Sequence, residues 1–159
     1  MQDHGTALIR RRGVGKRLAM STNDMIIKMS GEDTDGTFTL IEVTLHPGAI
    51  TPPPHRHAFA ELFYVLEGTL AVRIDGQRHN AAAGATVFVS GGTGHAFDVG
   101  GETSVRFLVL AMPAGVEEYF LELKEELASL PLGPPDLAVL GSRMAQLSRK
   151  YGIEPVATS

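Results

Sequence analysis

Hydrophobic and polar residues alternate along most of the chain between residues 23 and 111, as they do in strands with one buried face. The turns between the alternating stretches are rich in glycine, and Asp75-Gly76 is a two-residue signal for a type I′ hairpin. The pattern predicts eight strands, at 25–29, 37–45, 61–67, 69–74, 77–80, 86–89, 95–99 and 105–111. Short, regularly spaced strands of this kind predict an all-β sandwich or barrel.

The pattern changes to helical spacing after Pro113. A first helix is predicted at 115–129, with Glu117 and Glu118 in its first turn, where the helix dipole favours acidic residues. A second helix is predicted from its cap, Asp136, to about Tyr151. Its apolar stripe is expected to pack against the barrel or another subunit, and consists of Leu137, Leu140, Met144 and Leu147. We therefore divide the chain into an N-terminal arm (1–22), a β-barrel (23–112) and a C-terminal helical extension (113–159).

Composition narrows the possible classes of function. The chain has 159 residues, about one domain, and a formal net charge of -4, which argues against a nucleic-acid binder. Its one basic stretch, between Arg10 and Arg17, is expected to be a solvated arm. No apolar run approaches the roughly 20 residues that span a bilayer, and no signal peptide is evident. We therefore expect a cytoplasmic protein without a membrane partner.

Cysteine is absent, so His, Asp and Glu are the candidate metal ligands. Side chains two residues apart in an extended chain share a face, so His55 and His57 can point the same way, and Glu61 has the same parity. Imidazoles and a carboxylate suit a divalent metal ion and leave coordination positions open. These three residues are predicted to converge on one ion if their face lines the barrel interior.

A second candidate, His95, follows the glycine-rich segment Ser90-Gly-Gly-Thr-Gly94 and opens another strand. By itself, a histidine between glycines and Phe97 is better explained as a satisfied core residue than as a ligand.

Both segments resemble the two motifs of the cupin superfamily. The residues that match the first motif are Gly48, His55, His57, Glu61 and Gly68, with a spacer of six residues instead of five after the first glycine. Those that match the second are Gly84, Gly92 and His95, with Ser90 in place of Pro and Val99 in place of Asn. The resemblance implies a cupin double-stranded β-helix, a jelly-roll-like barrel with a C-terminal helical appendage. It also implies one divalent ion (Fe, Ni, Mn, Co or Zn) on His55, His57, Glu61 and His95.

The run from Tyr64 to Gly68 and the entry Pro113-Ala-Gly115 are similar to small bacterial single-domain cupins of the quercetin-dioxygenase-like group. This looser resemblance implies an oxygenase that acts on a small apolar or aromatic substrate, with Glu61 as the catalytic proton acceptor. Two alternatives remain open: a metal-dependent isomerase or lyase, and a non-catalytic cupin that contains a metal and binds a small molecule.

Three apolar side chains are expected to point to the same face as the ligands, namely those of Phe63, Val65 and Phe97. They are predicted to form the apolar wall around the metal, or equally to be ordinary barrel core. Tyr64 is expected to face away, and His4, His46 and His79 are expected to be exposed histidines rather than ligands. Strands that are apolar on both faces, together with the amphipathic C-terminal stripe, predict a homodimer.

Overall fold

The computed structural model describes residues 7–20, 23–130 and 136–157. Eleven strands and two helices follow one another in the described residues. The strands are β1 (Lys16–Met20), β2 (Asn23–Met29), β3 (Thr39–Leu45), β4 (His55–Arg56), β5 (Ala60–Glu67), β6 (Thr69–Ile74), β7 (Gln77–Ala82), β8 (Thr86–Val89), β9 (His95–Val99), β10 (Val105–Met112) and β11 (Glu154–Pro155). The helices are α1 (Val116–Ala128) and α2 (Leu137–Lys150).

The strands form two antiparallel sheets around one core. The first has the order β1-β2-β3-β10-β5-β8, and the second has the order β11-β4-β9-β6-β7. Alternate residues of the strands point inward; on β10, for example, every second side chain is buried. The core draws on both sheets, with Phe63 and Phe107 from the first and Leu70 and Val72 from the second, all of them fully buried. The predicted all-β barrel with a C-terminal helical appendage is confirmed.

All eight predicted strands are present, but three observed strands were not predicted. The strand β1 lies inside the predicted arm, where it pairs antiparallel with β2 and places Leu18 fully in the core. The first sheet therefore begins at Lys16, within the range predicted for the arm. The other two, β4 and β11, are two residues each and pair with one another.

The helices pack on each other as well as on the barrel. The Asp136 carboxylate accepts hydrogen bonds from the backbone N–H groups of Ala138 and Val139, as expected of a helix cap. Leu147 packs in a small apolar cluster with Tyr119 and Leu123 of α1. Two residues of the predicted stripe, Met144 and Leu147, thus pack in a cluster with α1. Neither helix of the described residues is long and apolar enough to cross a membrane.

Candidate metal centre

Three short elements bring the four predicted ligands together. His55 lies on β4 and His95 opens β9, and the two are direct cross-strand partners. His57 follows β4, and Glu61 lies at the start of β5. His57, Glu61 and His95 are buried, whereas His55 is partly exposed. The cluster therefore lies at the edge of the barrel interior, with His55 on its open side.

The distances within the cluster suit a single small ion. One ring nitrogen from each histidine lies within 4.8 Å of the corresponding nitrogens of the other two. The Oε2 atom of Glu61 lies 3.0 Å from His95 Nε2 and 3.3 Å from His57 Nε2. The side chains of His55, His57 and Glu61, which share a parity in the sequence, thus lie together with that of His95.

Each histidine ring is oriented by a backbone carbonyl. His55 Nδ1 lies 2.9 Å from the oxygen of Pro53, His57 Nδ1 lies 2.9 Å from that of Phe59, and His95 Nδ1 lies 3.0 Å from that of Thr93. A carbonyl only accepts hydrogen bonds, so each Nδ1 carries a hydrogen and donates it. This fixes the tautomer in which Nε2 is the nitrogen available to a metal ion, the usual role of partners outside the ligand set.

One polar atom in the cluster lacks a hydrogen bond. His57 is only 4% exposed. Among the described residues, its Nε2 atom is buried and has no hydrogen-bond partner. A buried polar atom without a partner is costly, unless another group satisfies it. A metal ion bound by the three Nε2 atoms would do so, and three imidazoles with a carboxylate are a donor set that divalent transition metals accept. The residues therefore fit the implied ion.

The protonation states in the cluster depend on Glu61. Burial alone would raise the pKa of its carboxyl, but the imidazoles of His57 and His95 beside it outweigh burial and lower the pKa to about 2. Burial would lower the pKa of His95, but the hydrogen bond with Glu61 raises it overall. Burial lowers the pKa of His55, with only partial compensation from the carbonyl of Pro53. Without metal, the pairing with Glu61 thus favours the protonated form of His95, whereas burial favours the neutral form of His55.

The glycine-rich turn before His95 packs directly on the chain that carries His57. The backbone N–H of Gly92 donates a hydrogen bond to the carbonyl of His57, at 2.7 Å. A Cβ atom on Gly91 would collide with the carbonyl oxygen of Ala58, so only glycine fits there. The two motifs are therefore connected through their backbones as well as through their ligands.

Phe59 is a site residue that the sequence analysis did not identify. Its ring stacks on that of His57, with centroids 3.6 Å apart and planes only 5° apart. Phe59 also lines an open cavity of about 320 Å³ between the barrel and the helices, together with residues that include Val116, Tyr119, Tyr151 and Ile153. Phe59 shares the parity of the ligands, which is the one sequence signal that could have indicated it.

The predicted wall residues lie in the barrel core. Phe63 and Val65 are fully buried, and Phe97 packs against the core from a partly buried position. The rings of Phe63, Phe97 and Phe107 form a cluster with centroids 5.8 to 6.0 Å apart. A substrate wall around the metal at Phe63, Val65 and Phe97 remains a prediction.

The remaining predictions for individual side chains agree with the structure where it describes them. Tyr64 faces outward and is 41% exposed. His46 and His79 are exposed and lie outside the cluster. His4 lies outside the described residues.

Comparison with known proteins finds one family match, within the barrel. Residues 41–111 match the family model of the cupin domain. None of the curated proteins matches the chain.

Several solved structures share the fold. The polyketide cyclase RemF from Streptomyces resistomycificus is 24% identical, with a TM-score of 0.59 over 67% of this chain and 80% of the cyclase. A predicted oxalate decarboxylase from Thermotoga maritima is 20% identical, with a TM-score of 0.59 over 67% of this chain and 99% of that protein. A putative ethanolamine utilization protein q from Salmonella typhimurium is 29% identical, with a TM-score of 0.50 over 58% of this chain and 71% of that protein. The described activities differ among these proteins, so the comparisons show a shared fold rather than a reaction.

Proposed function

We propose that this chain, in which residues 41–111 match the cupin domain, is a cupin and a metal-dependent enzyme that acts on a small apolar or aromatic substrate. We propose further that the reaction is an oxygenation of the quercetin 2,3-dioxygenase type, and that the ligands of its one divalent ion are His55, His57, Glu61 and His95. The ion is Fe, Ni, Mn, Co or Zn, because nitrogen and oxygen donors of this kind bind all five.

The observation that carries the proposal is the common orientation of the three imidazoles. Each donates its Nδ1 hydrogen to a carbonyl, so that the three Nε2 atoms converge beside the Glu61 carboxylate. Histidines that serve only to fill a core have no need of three such carbonyls and one buried nitrogen without a partner.

A bound ion would supply Lewis acidity, which lowers the pKa of a substrate hydroxyl or polarises a carbonyl. The protein contributes the base. The carboxylate of Glu61 is ionised, with a pKa of about 2, and has one oxygen next to both His57 and His95. It accepts the proton that the substrate loses, while the buried positions of His57 and His95 keep water from the far side of the site.

The substrate class follows from the surroundings of the site. The cavity of about 320 Å³ beside Phe59 is within the size range of small-molecule pockets, and its lining is mainly apolar with two tyrosines, Tyr119 and Tyr151. Phe59, which lines this cavity, also stacks on the ring of His57. A planar aromatic or apolar substrate fits such walls better than a highly charged one does.

A second candidate is a metal-dependent isomerase or lyase. The observation that favours it is Glu61 itself, since a carboxylate base next to a Lewis acid can move a proton beside a carbonyl without dioxygen. A sugar phosphate isomerase from Silicibacter pomeroyi shares the fold, with 26% identity and a TM-score of 0.51 over 58% of this chain and 60% of the isomerase.

Oxygen uptake distinguishes the two candidates. The purified protein, loaded separately with each of the five metals, would be incubated with flavonols, diketones and catechol-like compounds in an oxygen electrode. We expect substrate-dependent uptake with at least one metal, and none with metal-free protein. Product formation without uptake would support the isomerase or lyase, and tight binding without turnover would support a non-catalytic binding protein.

We also propose that the protein is a homodimer. Support comes from a row of apolar side chains on the outer face of the first sheet, where Phe88, Leu62, Leu110 and Leu40 are successive cross-strand partners. Phe88 is 60% exposed and lies on β8, an edge strand, and exposed apolar patches on edge strands often mark interfaces. Light scattering at micromolar concentration should give twice the mass of the chain, and a monomer would refute the proposal.

A further inference from the structure

The strand that carries His55 has an unusual neighbour. β4 is only two residues long, and the strand on its outer side is β11, from the C-terminal end of the described chain. Pro155 is the cross-strand partner of His55, and Glu154 is that of Arg56. The backbone N–H of Val156 donates a hydrogen bond to the carbonyl of Pro54, at 2.9 Å. The segment 154–156 therefore holds the backbone on both sides of His55.

Val156 also reaches the segment that carries another ligand. A Cβ atom placed on Gly94 would lie 3.4 Å from both methyl groups of Val156, so that side chain covers Gly94 in ordinary contact range. Gly94 immediately precedes His95, as Pro54 immediately precedes His55. One residue thus contacts the chain next to two of the three histidines, His95 and His55, which lie 61 and 101 positions away in sequence.

The segment has little to contribute to the core. Glu154 and Pro155 are exposed, and Val156 is only partly buried. The ion pair between Arg56 and Glu154, at 3.0 Å, joins side chains that are 56% and 60% exposed, and such pairs contribute little to stability. A purely structural role would need more burial than this. The position of the segment, next to the one partly exposed ligand, points instead to the metal centre.

We infer that the segment Glu154–Val156 is a positioning element of the metal centre, which holds His55 in place for the ion. The inference rests on the proposed function, because it presupposes that His55 is a ligand. His55 needs such support more than the other histidines do. His57 and His95 are held by burial, whereas His55 is partly exposed and lies on β4, which has only two residues.

The test uses cobalt(II) as the probe, because its visible absorption reports the number and geometry of the ligands. Two variants break the pairing: one ends after Ile153, and the other is Val156→Pro, which removes the N–H donor to Pro54. Controls are a chain that ends after Ala157, which keeps the whole segment, and Val139→Ala, at an exposed valine of α2. Each protein is titrated with cobalt and, without metal, unfolded in urea.

We expect wild type and both controls to bind one equivalent. The two disrupted variants should bind about 10- to 100-fold more weakly, the usual effect of losing a partner that orients a ligand, with an altered absorption spectrum and nearly unchanged unfolding in urea. In a His55→Ala background, the truncation should lower the affinity no further, because the residue through which it acts is gone.

Wild-type affinity for cobalt in both disrupted variants would overturn the inference. So would a loss of affinity that adds fully to the loss caused by His55→Ala, or one that parallels a loss of stability. None of these outcomes would contradict the proposed metal centre. Failure of the wild-type protein to bind cobalt would overturn the proposed function together with the inference.

Discussion

Two glutamates are buried among the described residues, and their surroundings differ in kind. Glu61 is 8% exposed and faces the imidazole rings of His57 and His95. Glu117, in the first turn of α1, is 4% exposed and is surrounded by fixed donors. Its Oε1 atom accepts from the backbone N–H of Gly31 at 2.6 Å, and its Oε2 atom accepts from Thr39 Oγ1 and from the N–H of Gly115 at 2.8 Å.

This difference indicates a structural role for the carboxylate of Glu117 and a role in catalysis for that of Glu61. The donors of Glu117 cannot lose their hydrogens, so its only stable arrangement is the one observed, and it ties α1 to the turn before β3. The partners of Glu61 are imidazoles, which can exchange protons or bind a metal ion. A buried carboxylate that faces titratable groups is therefore the better candidate for catalysis.

The largest effect should come from removing a group that faces Glu61. We expect His57→Ala to lower bound metal from one equivalent to near zero, with an affinity loss of more than about 100-fold, since even partners outside the ligand set cost that much. Elemental analysis and circular dichroism would check metal content and fold. His79→Ala, at an exposed histidine, is the control; full metal content in His57→Ala would remove His57 from the ligand set.

Glu61→Gln keeps the shape of the side chain and removes its basicity. Turnover should fall by about 10²- to 10⁴-fold, the usual contribution of a general base, whereas metal affinity should fall much less. Steady-state kinetics of the metal-loaded protein would measure the first, and metal titration the second. Glu67→Gln, at the exposed end of the same strand, should change neither, and unchanged turnover in Glu61→Gln would refute the proton-accepting role.

Glu117→Ala tests the structural side of the comparison. The change leaves the Thr39 hydroxyl and two backbone N–H groups without their acceptor, and we expect a loss of about 3 kcal/mol in the free energy of unfolding, since each unsatisfied buried donor costs about 1 to 3 kcal/mol. Urea unfolding would measure it. Glu118→Ala, at the exposed neighbour, should cost less than about 0.5 kcal/mol; equal effects in the two variants would contradict the assigned role.

The smallest expected effect is a dependence on pH. Burial would raise the pKa of Glu117, but the hydrogen bonds from Thr39, Gly31 and Gly115 hold it below the ordinary value of 4.5. The stabilisation is therefore fully present above pH 4.5 and is lost as the pH falls through the lowered pKa. The stability difference between wild type and Glu117→Gln should shrink on acidification below 4.5, and a constant difference would count against the pKa shift.

The strands of the barrel were predictable because alternation is a direct consequence of the pleat. The strand β1 was not predictable from alternation. Among its described side chains, that of Leu18 enters the core, and the charged residues around it are typical of a solvated arm. Two-residue strands such as β4 and β11 are too short to show alternation at all. The stripe of α2 was evident, but a stripe does not say which surface it meets, and here two of its residues, Met144 and Leu147, pack in a cluster with α1.

The four candidate ligands were predictable from residue type and parity, with the family resemblance needed for His95. The carbonyls of Pro53, Phe59 and Thr93 were not, because every residue has a carbonyl and only the fold decides where it points. Glu117 looked like an ordinary acidic residue in a first helical turn. Its burial depends on contacts with Gly31 and Thr39, which lie 86 and 78 positions away.

The most direct test of the metal centre is X-ray absorption spectroscopy of the protein purified from its native host. The account predicts one divalent ion per chain with three imidazole ligands and one carboxylate ligand. A metal-free protein that also fails to bind added metal, or an ion without histidine in its coordination, would contradict it.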